Sequence, residues 1–303
     1  MKNILCLPVI LLLIFSCGHA ENGGNRKKVK QEILKTQPFI PELDEKLVEI
    51  SGLLVYDDLF WGFNDSGGKN KIYGFNQNGK IKKVVEIENA KNVDWESITQ
   101  DEKNIYIGDF GNNKGKRDNL CIYKIKKKDI KDKKEQKLEA EKIKFSYALQ
   151  TNFIYIDRTT PFDCEAMVEF KGDLFLFSKN WQDHTSTVYK IPTKAGEYKL
   201  EPLDTFNVKG LITGADISHD NKKLALVGYQ NYQSFIWLFS NFSDHQFYKG
   251  NSQLFQLENT TNAQTEGICF YSTDTLLVSC EKTNSFYQQV FMFDITKLTN
   301  ETH

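Results

Sequence analysis

The chain has 303 residues, and its 39 basic and 40 acidic side chains leave a formal net charge of −1. This balance excludes the global basic field that nucleic-acid binding requires, so we expect no nucleic-acid partner. The length is sufficient for one large all-β domain. After the first twenty residues, the sequence contains no apolar run long enough to span a bilayer.

The first residues have the pattern of an export signal. Lys2 is followed by the apolar run Ile4–Ile14, which is too short for a transmembrane helix and typical of a secretory signal peptide. The run leads into Ser16-Cys17-Gly18, which resembles the lipobox of bacterial lipoproteins. The resemblance implies that residues 1–16 are removed and that Cys17 carries lipid chains. An ordinary signal peptide with an incidental cysteine is the alternative.

The stretch after Cys17 is polar and contains Gly23, Gly24 and the basic cluster Arg26–Lys28, which favours a flexible tether. We therefore expect an exported protein whose membrane partner is a lipid bilayer, reached through acylated Cys17. The outer membrane is the expected location. The sequence leaves open whether the protein occupies the periplasmic or the cell-surface face.

Six cysteines are present, of which Cys6 lies in the signal peptide and Cys17 is the expected lipidation site. The other four are Cys121, Cys164, Cys269 and Cys280. We predict that Cys269 and Cys280 face each other in a hairpin centred near Asp274, where they form either a cross-strand disulfide or a pair of buried free thiols.

An internal repeat dominates the rest of the chain. Its anchors are Ser51, Glu96, Glu165, Thr213 and Glu266, separated by 45, 69, 48 and 53 residues. Each anchor starts an apolar strand, and two or three further short strands follow. Four short strands at a spacing of about 50 residues indicate the blades of a β-propeller. The long second interval contains the Lys-rich stretch Lys126–Lys137, which we interpret as a solvated insertion.

The last repeat ends after its third strand, and Phe39–Glu49 can supply the missing fourth strand and close the ring. We therefore predict a five-bladed β-propeller, with six blades as an alternative that requires an unrecognised repeat. The predicted segments are a signal peptide (1–16), a lipidated tether (17–37) and a monomeric propeller domain (38–303).

Polar residues should converge at one mouth of the central channel, because the innermost strand of each blade begins where the second strand ends. The expected metal ligands are Glu96, Asp109, Glu165 and Glu266. Other residues expected at the mouth are Asn64, Asp65, Asp94, Asn112, Asp163, Lys179 and Glu281. Crowded carboxylates repel one another unless a cation compensates, and Ca²⁺ prefers such oxygen ligands. Structural capping by these groups and binding of a cationic ligand are the alternatives to calcium.

Three motifs carry a family resemblance: Asn64-Asp65-Ser66-Gly67-Gly68, Asp94-Trp95-Glu96, and Gly108-Asp109-Phe110-Gly111-Asn112-Asn113 followed by Arg117. Together they resemble a group of exported bacterial propeller lipoproteins. More distantly, the Glu-Gly-Ile and Asp-x-Glu anchors are similar to those of the SdiA-regulated family and the esterase-like phytase propellers. The calcium-dependent lactonase propellers are similar in architecture, and this resemblance implies a metal near Glu96, Asp109, Glu165 and Glu266.

Two functions are compatible with these observations. The first is a non-catalytic ligand-binding or scaffold lipoprotein with an acidic, calcium-binding channel mouth, whose ligand is an unidentified small molecule or protein. The second is a calcium-dependent hydrolase of esters, lactones or phosphoesters, with Glu96, Glu165 or Glu266 as the base. The aromatic residues Trp181, Tyr229 and Tyr232 should lie on the same face, where they either pack or stack on a sugar or an aromatic ligand.

Overall fold

A computed structural model describes residues 31–296, so the predicted signal peptide, Cys17 and most of the predicted tether lie outside the described residues. Within this range the strands form five separate sheets, each of which contains four antiparallel strands. The fold is a five-bladed β-propeller, as predicted. Among the described residues, no helix has the length and apolar character needed to cross a bilayer.

The blades follow one another along the chain. The strands of blade 1 are Ile50–Tyr56, Leu59–Asn64, Lys71–Phe75 and Ile81–Ile87, and those of blade 2 are Trp95–Gln100, Asn104–Asp109, Cys121–Lys126 and Glu141–Tyr147. Blade 3 contains Cys164–Phe170, Asp173–Ser178, Ser186–Pro192 and Pro202–Phe206. Blade 4 contains Leu211–Ile217, Lys223–Gln230, Gln233–Ser240 and Asn251–Leu257. Blade 5 contains Thr265–Ser272, Thr275–Cys280, Gln289–Asp294 and the N-terminal strand Gln37–Ile40.

The hairpin of blade 3 shows how local sequence forms a blade. In blade 3 the run Leu174–Phe177 is buried on both faces, as expected for a strand between two neighbouring sheets. Lys171 and Gly172 precede it with φ angles of 53° and 91°, the left-handed conformation that a two-residue hairpin requires. Short 3-10 helices occur at Glu45–Leu47, Lys127–Asp129 and Phe247–Lys249.

The ring is closed by a strand from the N-terminal part of the chain, as predicted, but the strand is shorter than expected. Gln37–Ile40 pairs antiparallel with Gln289–Asp294. The predicted segment Phe39–Glu49 extends too far because Pro41 lacks the N–H that continued pairing needs. The chain then turns through the helix Glu45–Leu47, which the Asp44 side chain caps by accepting a hydrogen bond from the Lys46 backbone N–H.

Three blades carry a fifth, parallel strand on their outer edge. Glu135–Leu138 extends blade 1, Gly196–Leu200 extends blade 2, and Gln31–Leu34 extends blade 4. The interpretation of Lys126–Lys137 as a solvated insertion is therefore wrong for its C-terminal part, which covers an edge that would otherwise expose unpaired backbone groups. The folded region also begins before residue 38, where the sequence analysis placed its start.

The core lies between the blades. Within the described residues, five apolar clusters each join two neighbouring blades around the ring. Trp61 and Trp95 lie in the cluster between blades 1 and 2, and Trp237 lies between blades 3 and 4. Near the axis the innermost strands approach so closely that a Cβ atom on Gly267 of blade 5 would lie 2.5 Å from the carbonyl carbon of Gly52 in blade 1. Glycine is the residue that permits this contact.

The cysteine prediction is wrong in register. Cys269 pairs with Leu277 and Cys280 pairs with Thr265, because the hairpin turns at Thr273 and Asp274 and its first strand shifts register between Phe270 and Ser272 and again between Thr265 and Ile268. Cys121, Cys164, Cys269 and Cys280 are free thiols, and all four are buried.

Candidate functional site

The mouth of the channel is built by the predicted repeat. The innermost strand of each blade begins beside its anchor, and the second strand returns to the same end, so that Trp95 pairs with Asp109 and Cys164 with Ser178. In all five blades the pairing shifts by a β-bulge at the anchor. Glu96, Glu165 and Thr213 are themselves extra residues of these bulges. A bulge re-aims a side chain, which explains why the anchors lie at the channel.

Three carboxylates form the tightest acidic group at the mouth. Ligand oxygens of Asp65, Asp94 and Glu96 all lie within 4.8 Å of one another, and we call this group the carboxylate triad. Glu96 is only 5% exposed, whereas Asp65 and Asp94 are half-buried. Asp65 follows the second strand of blade 1, while Asp94 and Glu96 begin blade 2. The triad therefore bridges two blades.

Burial and mutual repulsion make the triad costly to ionise. Burial raises the pKa of Asp94 to about 7, and the neighbouring Asp65 carboxylate adds to the rise. Burial also raises the pKa of Glu96 well above its ordinary value, reinforced by the charges of Glu165 and Asp65. The pKa of Asp65 is raised by burial too. Three such groups retain either protons or a cation at neutral pH.

Gly111 leaves the space that the triad occupies. A Cβ atom at this position would overlap Glu96 Oε1 and would lie 2.5 Å from Asp94 Oδ2. The Gly111 backbone N–H donates to the Asp94 carbonyl over 3.2 Å, which holds the loop against the triad. Gly111 belongs to the motif Gly108–Asn113, and the need for a glycine there becomes apparent only from the folded loop.

Two of the three other carboxylates of the expected metal set, Asp109 and Glu165, are paired with cations. Arg117 Nη2 lies 2.8 Å from Asp109 Oδ1, and the same guanidinium donates to the Gly111 carbonyl. Burial raises the pKa of Asp109, and Arg117 opposes the rise. Asp109 Oδ1 also accepts from the Asp94 backbone N–H. Asp109 therefore braces the loop around the triad rather than facing the same point.

Glu165 is held by the buried Lys179. Lys179 Nζ lies 2.6 Å from both carboxylate oxygens, and the two side chains are only 7% and 6% exposed. The ammonium also lies 5.0 Å from the centre of the Trp181 ring and 5.3 Å from that of Tyr229. Burial lowers the pKa of Lys179, but the carboxylate of Glu165 and other nearby negative charges raise it overall. Lys179 therefore remains positively charged, and its charge is paired with that of Glu165.

Asp163 and Asn112 tie blades 2 and 3 together. Asp163 Oδ1 accepts from the backbone N–H groups of Asn112 and Cys164, and Oδ2 accepts from Trp181 Nε1 over 2.7 Å. The Asn112 side chain donates to the Phe162 carbonyl and accepts from the Arg117 backbone N–H. These two expected mouth residues act as structural braces.

Asn92, a residue that sequence reasoning missed, ties blades 1 and 2 together, and Asn64 ties blade 1 to the segment that precedes it. Asn64 Nδ2 donates to the Lys46 carbonyl. Asn92 Nδ2 donates to the carbonyls of Asn64 and Asp65, and its Oδ1 accepts from the Trp95 N–H. An asparagine three residues before a strand start is the only sequence signal for this role, and it is weak.

Glu266 and Glu281 lie on the blade 5 side of the mouth. Burial raises the pKa of Glu281 to about 8, with further contributions from Asp65 and other carboxylates. Burial also raises the pKa of Glu266, and the Glu281 charge adds to this. The four expected metal ligands therefore do not form one group. Glu96 belongs to the triad, Asp109 and Glu165 are paired with cations, and Glu266 is next to Glu281. Asp65 and Asp94, expected only as mouth residues, complete the tightest group.

Two clefts open on the mouth face. One of about 590 Å³ is lined by Asp94 together with basic side chains, which are Lys114, Lys116, Arg117 and Arg158. The other, of about 720 Å³, lies between blades 3, 4 and 5 and contains Trp181, Tyr229 and Tyr232. We call them the basic cleft and the aromatic cleft. Arg158 lines both and lies 5.6 Å from the centre of the Trp181 ring.

No family model matches the chain, and no curated protein matches it. Among solved structures, it is similar to a chain of a nidogen/laminin complex, with 14% identity, a TM-score of 0.47, and coverage of 82% of this chain and 76% of the other. It is also similar to the β-propeller domain of Swd1 from Myceliophteria thermophila, with 9% identity, a TM-score of 0.40, and coverage of 82% and 97%.

A third similar structure is hydrazine synthase from Kuenenia stuttgartiensis, with 10% identity, a TM-score of 0.41, and coverage of 84% of this chain and 65% of the other. The assignment of five blades rests on the strand pairing of this chain itself.

Proposed function

We propose that this protein is an exported, lipid-anchored ligand-binding module whose channel mouth binds a calcium ion. The observation that carries the proposal is the carboxylate triad, in which oxygens of three residues from two blades lie within 4.8 Å of one another. The two buried cations of the mouth do not neutralise this triad directly, because Arg117 and Lys179 are paired with Asp109 and Glu165.

The donor set and its spacing suit calcium. Ca²⁺ binds oxygen ligands at about 2.3–2.6 Å, so ligands on opposite sides of one ion lie about 4.6–5.2 Å apart. The triad oxygens fall within that span. Three carboxylates supply part of the six to eight oxygens that calcium takes, and backbone carbonyls or water complete such a site. A bound dication also removes the repulsion that raises the pKa values of the triad.

The course of the chain fits a role away from the anchoring membrane. Gln31–Leu34 runs parallel to the last strand of blade 4, and that strand ends on the mouth face. The chain therefore enters the propeller from the side opposite to the triad. An anchor that reaches the propeller through this segment therefore joins it away from the mouth, which leaves the triad accessible to soluble ligands.

A calcium titration of the melting temperature tests the proposal. In excess EDTA the protein should melt lowest, and calcium at about 100 times its Kd should add about 2.7 kcal/mol of stability. Glu96→Gln should abolish the increase, whereas Glu139→Gln, an exposed glutamate on the periphery, should retain it. An unchanged melting temperature at millimolar calcium would rule out a calcium site at the mouth.

A second function, a calcium-dependent phosphoester hydrolase, is favoured by one observation. The basic cleft has Asp94 in its wall, and Lys114 and Lys116 lie there 5.9 and 5.8 Å from the centre of the Tyr155 ring. Such a lining selects anionic esters over neutral esters or lactones, and a metal beside it can polarise a phosphoryl oxygen.

Hydrolysis of 4-nitrophenyl phosphate, measured in calcium and in EDTA, tests this second function. Activity should depend on calcium, and a Lys114→Met/Lys116→Met variant should raise KM with little change in kcat. A protein that binds calcium but releases no nitrophenol would leave the ligand-binding module as the function.

A further inference from the structure

We propose that the aromatic cleft binds a neutral saccharide. This inference is independent of the calcium site, because it rests on the lining of a different cleft. The volume of about 720 Å³ lies within the range of small-molecule sites. The cleft is formed by loops of blades 3, 4 and 5 on the mouth face.

Apart from Arg158 and His184, the polar lining of the aromatic cleft is made of neutral groups that both donate and accept hydrogen bonds. Its amide side chains are Gln230, Asn231, Asn262, Gln264 and Asn284, and hydroxyl groups come from Thr283 and Ser285. Within the described residues, the lining includes no carboxylate. A sugar hydroxyl also donates and accepts, so it pairs with an amide in either sense. A charged ligand would find only Arg158 and His184 as possible counter-charges.

Two of the aromatic rings are fixed in place by the mouth. Trp181 Nε1 donates to Asp163, and the Lys179 ammonium lies against the rings of both Trp181 and Tyr229. Rings held in this way offer a rigid apolar surface at little cost in side-chain entropy. The C–H faces of a pyranose are apolar and suit such a surface.

The third ring, Tyr232, is exposed and stands on a turn with a disfavoured backbone conformation. It is 73% exposed, and its backbone has a φ of 63° in the two-residue turn between the second and third strands of blade 4. Asn231 has a φ of 50°, and the Asn262 N–H fastens the turn by donating to the Tyr232 carbonyl over 2.7 Å. Asparagine and glycine suit the left-handed region, whereas a large side chain there is uncommon and costs about 1–2 kcal/mol.

Folding therefore gains nothing from a tyrosine at this position, since its ring is exposed and its backbone is disfavoured. Residues held in disfavoured conformations on a surface concentrate at ligand sites. At the rim of an amide-lined cleft, the Tyr232 ring can cover a bound sugar that lies against Tyr229 and Trp181.

Tryptophan emission gives a direct readout of this cleft. The chain has four tryptophans, and Trp61, Trp95 and Trp237 are fully buried. Trp181 is half-buried and lines the cleft, so a ligand there changes its emission selectively. Maltotriose, cellotriose, chitotriose and mannotriose are suitable probes, titrated into the purified chain with a Trp181→Phe variant as the blank.

We expect at least one trisaccharide to change the emission, with a Kd between about 10 μM and 1 mM. Tyr232→Asn should weaken that binding about three- to tenfold while leaving the melting temperature equal or higher, because the turn is relieved. Gln230→Ala/Asn284→Ala should also weaken it, whereas Gln37→Ala, an exposed amide on blade 5, should not.

Three outcomes would overturn the proposal. None of the four probes changes Trp181 emission at about 10 mM. Alternatively, a probe binds with equal affinity to the Gln230→Ala/Asn284→Ala variant. Finally, Tyr232→Asn lowers the melting temperature and leaves binding intact, which would make the ring a packing residue.

Discussion

Replacing Lys179 with methionine removes the ammonium that is bonded to Glu165 and keeps a stem of similar volume. Lys179 Nζ contacts both Glu165 oxygens at 2.6 Å, and the pair is almost fully buried. Without the ammonium, Glu165 faces the negative charges of Asp163 and Glu266. Loss of one partner from a buried ion pair costs about 3–5 kcal/mol.

Protonation of Glu165 limits that cost and makes it depend on pH. Protonating a carboxyl group whose ordinary pKa is about 4.3 costs about 4 kcal/mol at pH 7 and about 1 kcal/mol at pH 5. The loss of stability should therefore grow as the pH rises from 5 to 7. For a domain of this size each kcal/mol lowers the melting temperature by about 2–4 °C, which gives about 8–16 °C at pH 7 and about 2–4 °C at pH 5.

Thermal melts at both pH values provide the assay. Adding Glu165→Gln to Lys179→Met removes the stranded charge and should recover most of the loss. Lys144→Met is the matched control, because the Lys144–Glu197 pair is exposed and its loss should leave the melting temperature unchanged. If Lys179→Met melts like Lys144→Met, or if it loses the same number of degrees at pH 5 and pH 7, Lys179 does not stabilise the fold by neutralising Glu165.

Three further predictions follow from single sites. Burial raises the pKa of Asp216 from 3.8 to about 7, so this carboxyl group lowers the stability of the folded state as the pH rises from about 4 to about 7; Asp216→Asn, which keeps an acceptor for the Phe270 N–H, should therefore melt progressively higher than wild type over that range, with a constant difference above about pH 7. Gly111→Ala should displace the carboxylate triad and abolish the calcium-induced rise in melting temperature, whereas Gly196→Ala, where the nearest atom is a side-chain hydroxyl, should not. Cys17→Ser should move the expressed protein from the membrane fraction to the soluble fraction, and unchanged fractionation would contradict lipidation at Cys17.

The blades could be predicted because each anchor is followed by strands that repeat at a nearly constant spacing. An apolar run such as Leu174–Phe177 must be buried on both faces, and that requirement specifies a strand between two others. The outer strand Glu135–Leu138 could not be predicted, because its short, mostly polar sequence carries no strand pattern. Its pairing is favoured by the exposed edge of a neighbouring blade, a property of the assembled ring.

The sequence predicts where the site lies, but it does not predict which carboxylates come together there. Alignment of the anchors brings Glu96, Glu165 and Glu266 to one mouth, and in each of these blades the first strand has a bulge at the anchor. Which carboxylates come within a few ångströms depends on loop conformation, and Asp65 and Asp94 approach Glu96 only because Gly111 leaves room. The pairing of Lys179 with Glu165 likewise depends on where the chain turns after the second strand of blade 3.

A crystal structure of the protein grown in calcium shows, through its anomalous difference map, whether the carboxylate triad binds the ion. Calcium at the triad gives one strong peak within about 2.3–2.6 Å of oxygens from Asp65, Asp94 and Glu96, which is lost in crystals of Glu96→Gln. A map with no peak at the triad, or with a peak at Asp109 or Glu165 instead, would rule out a calcium site formed by these three carboxylates.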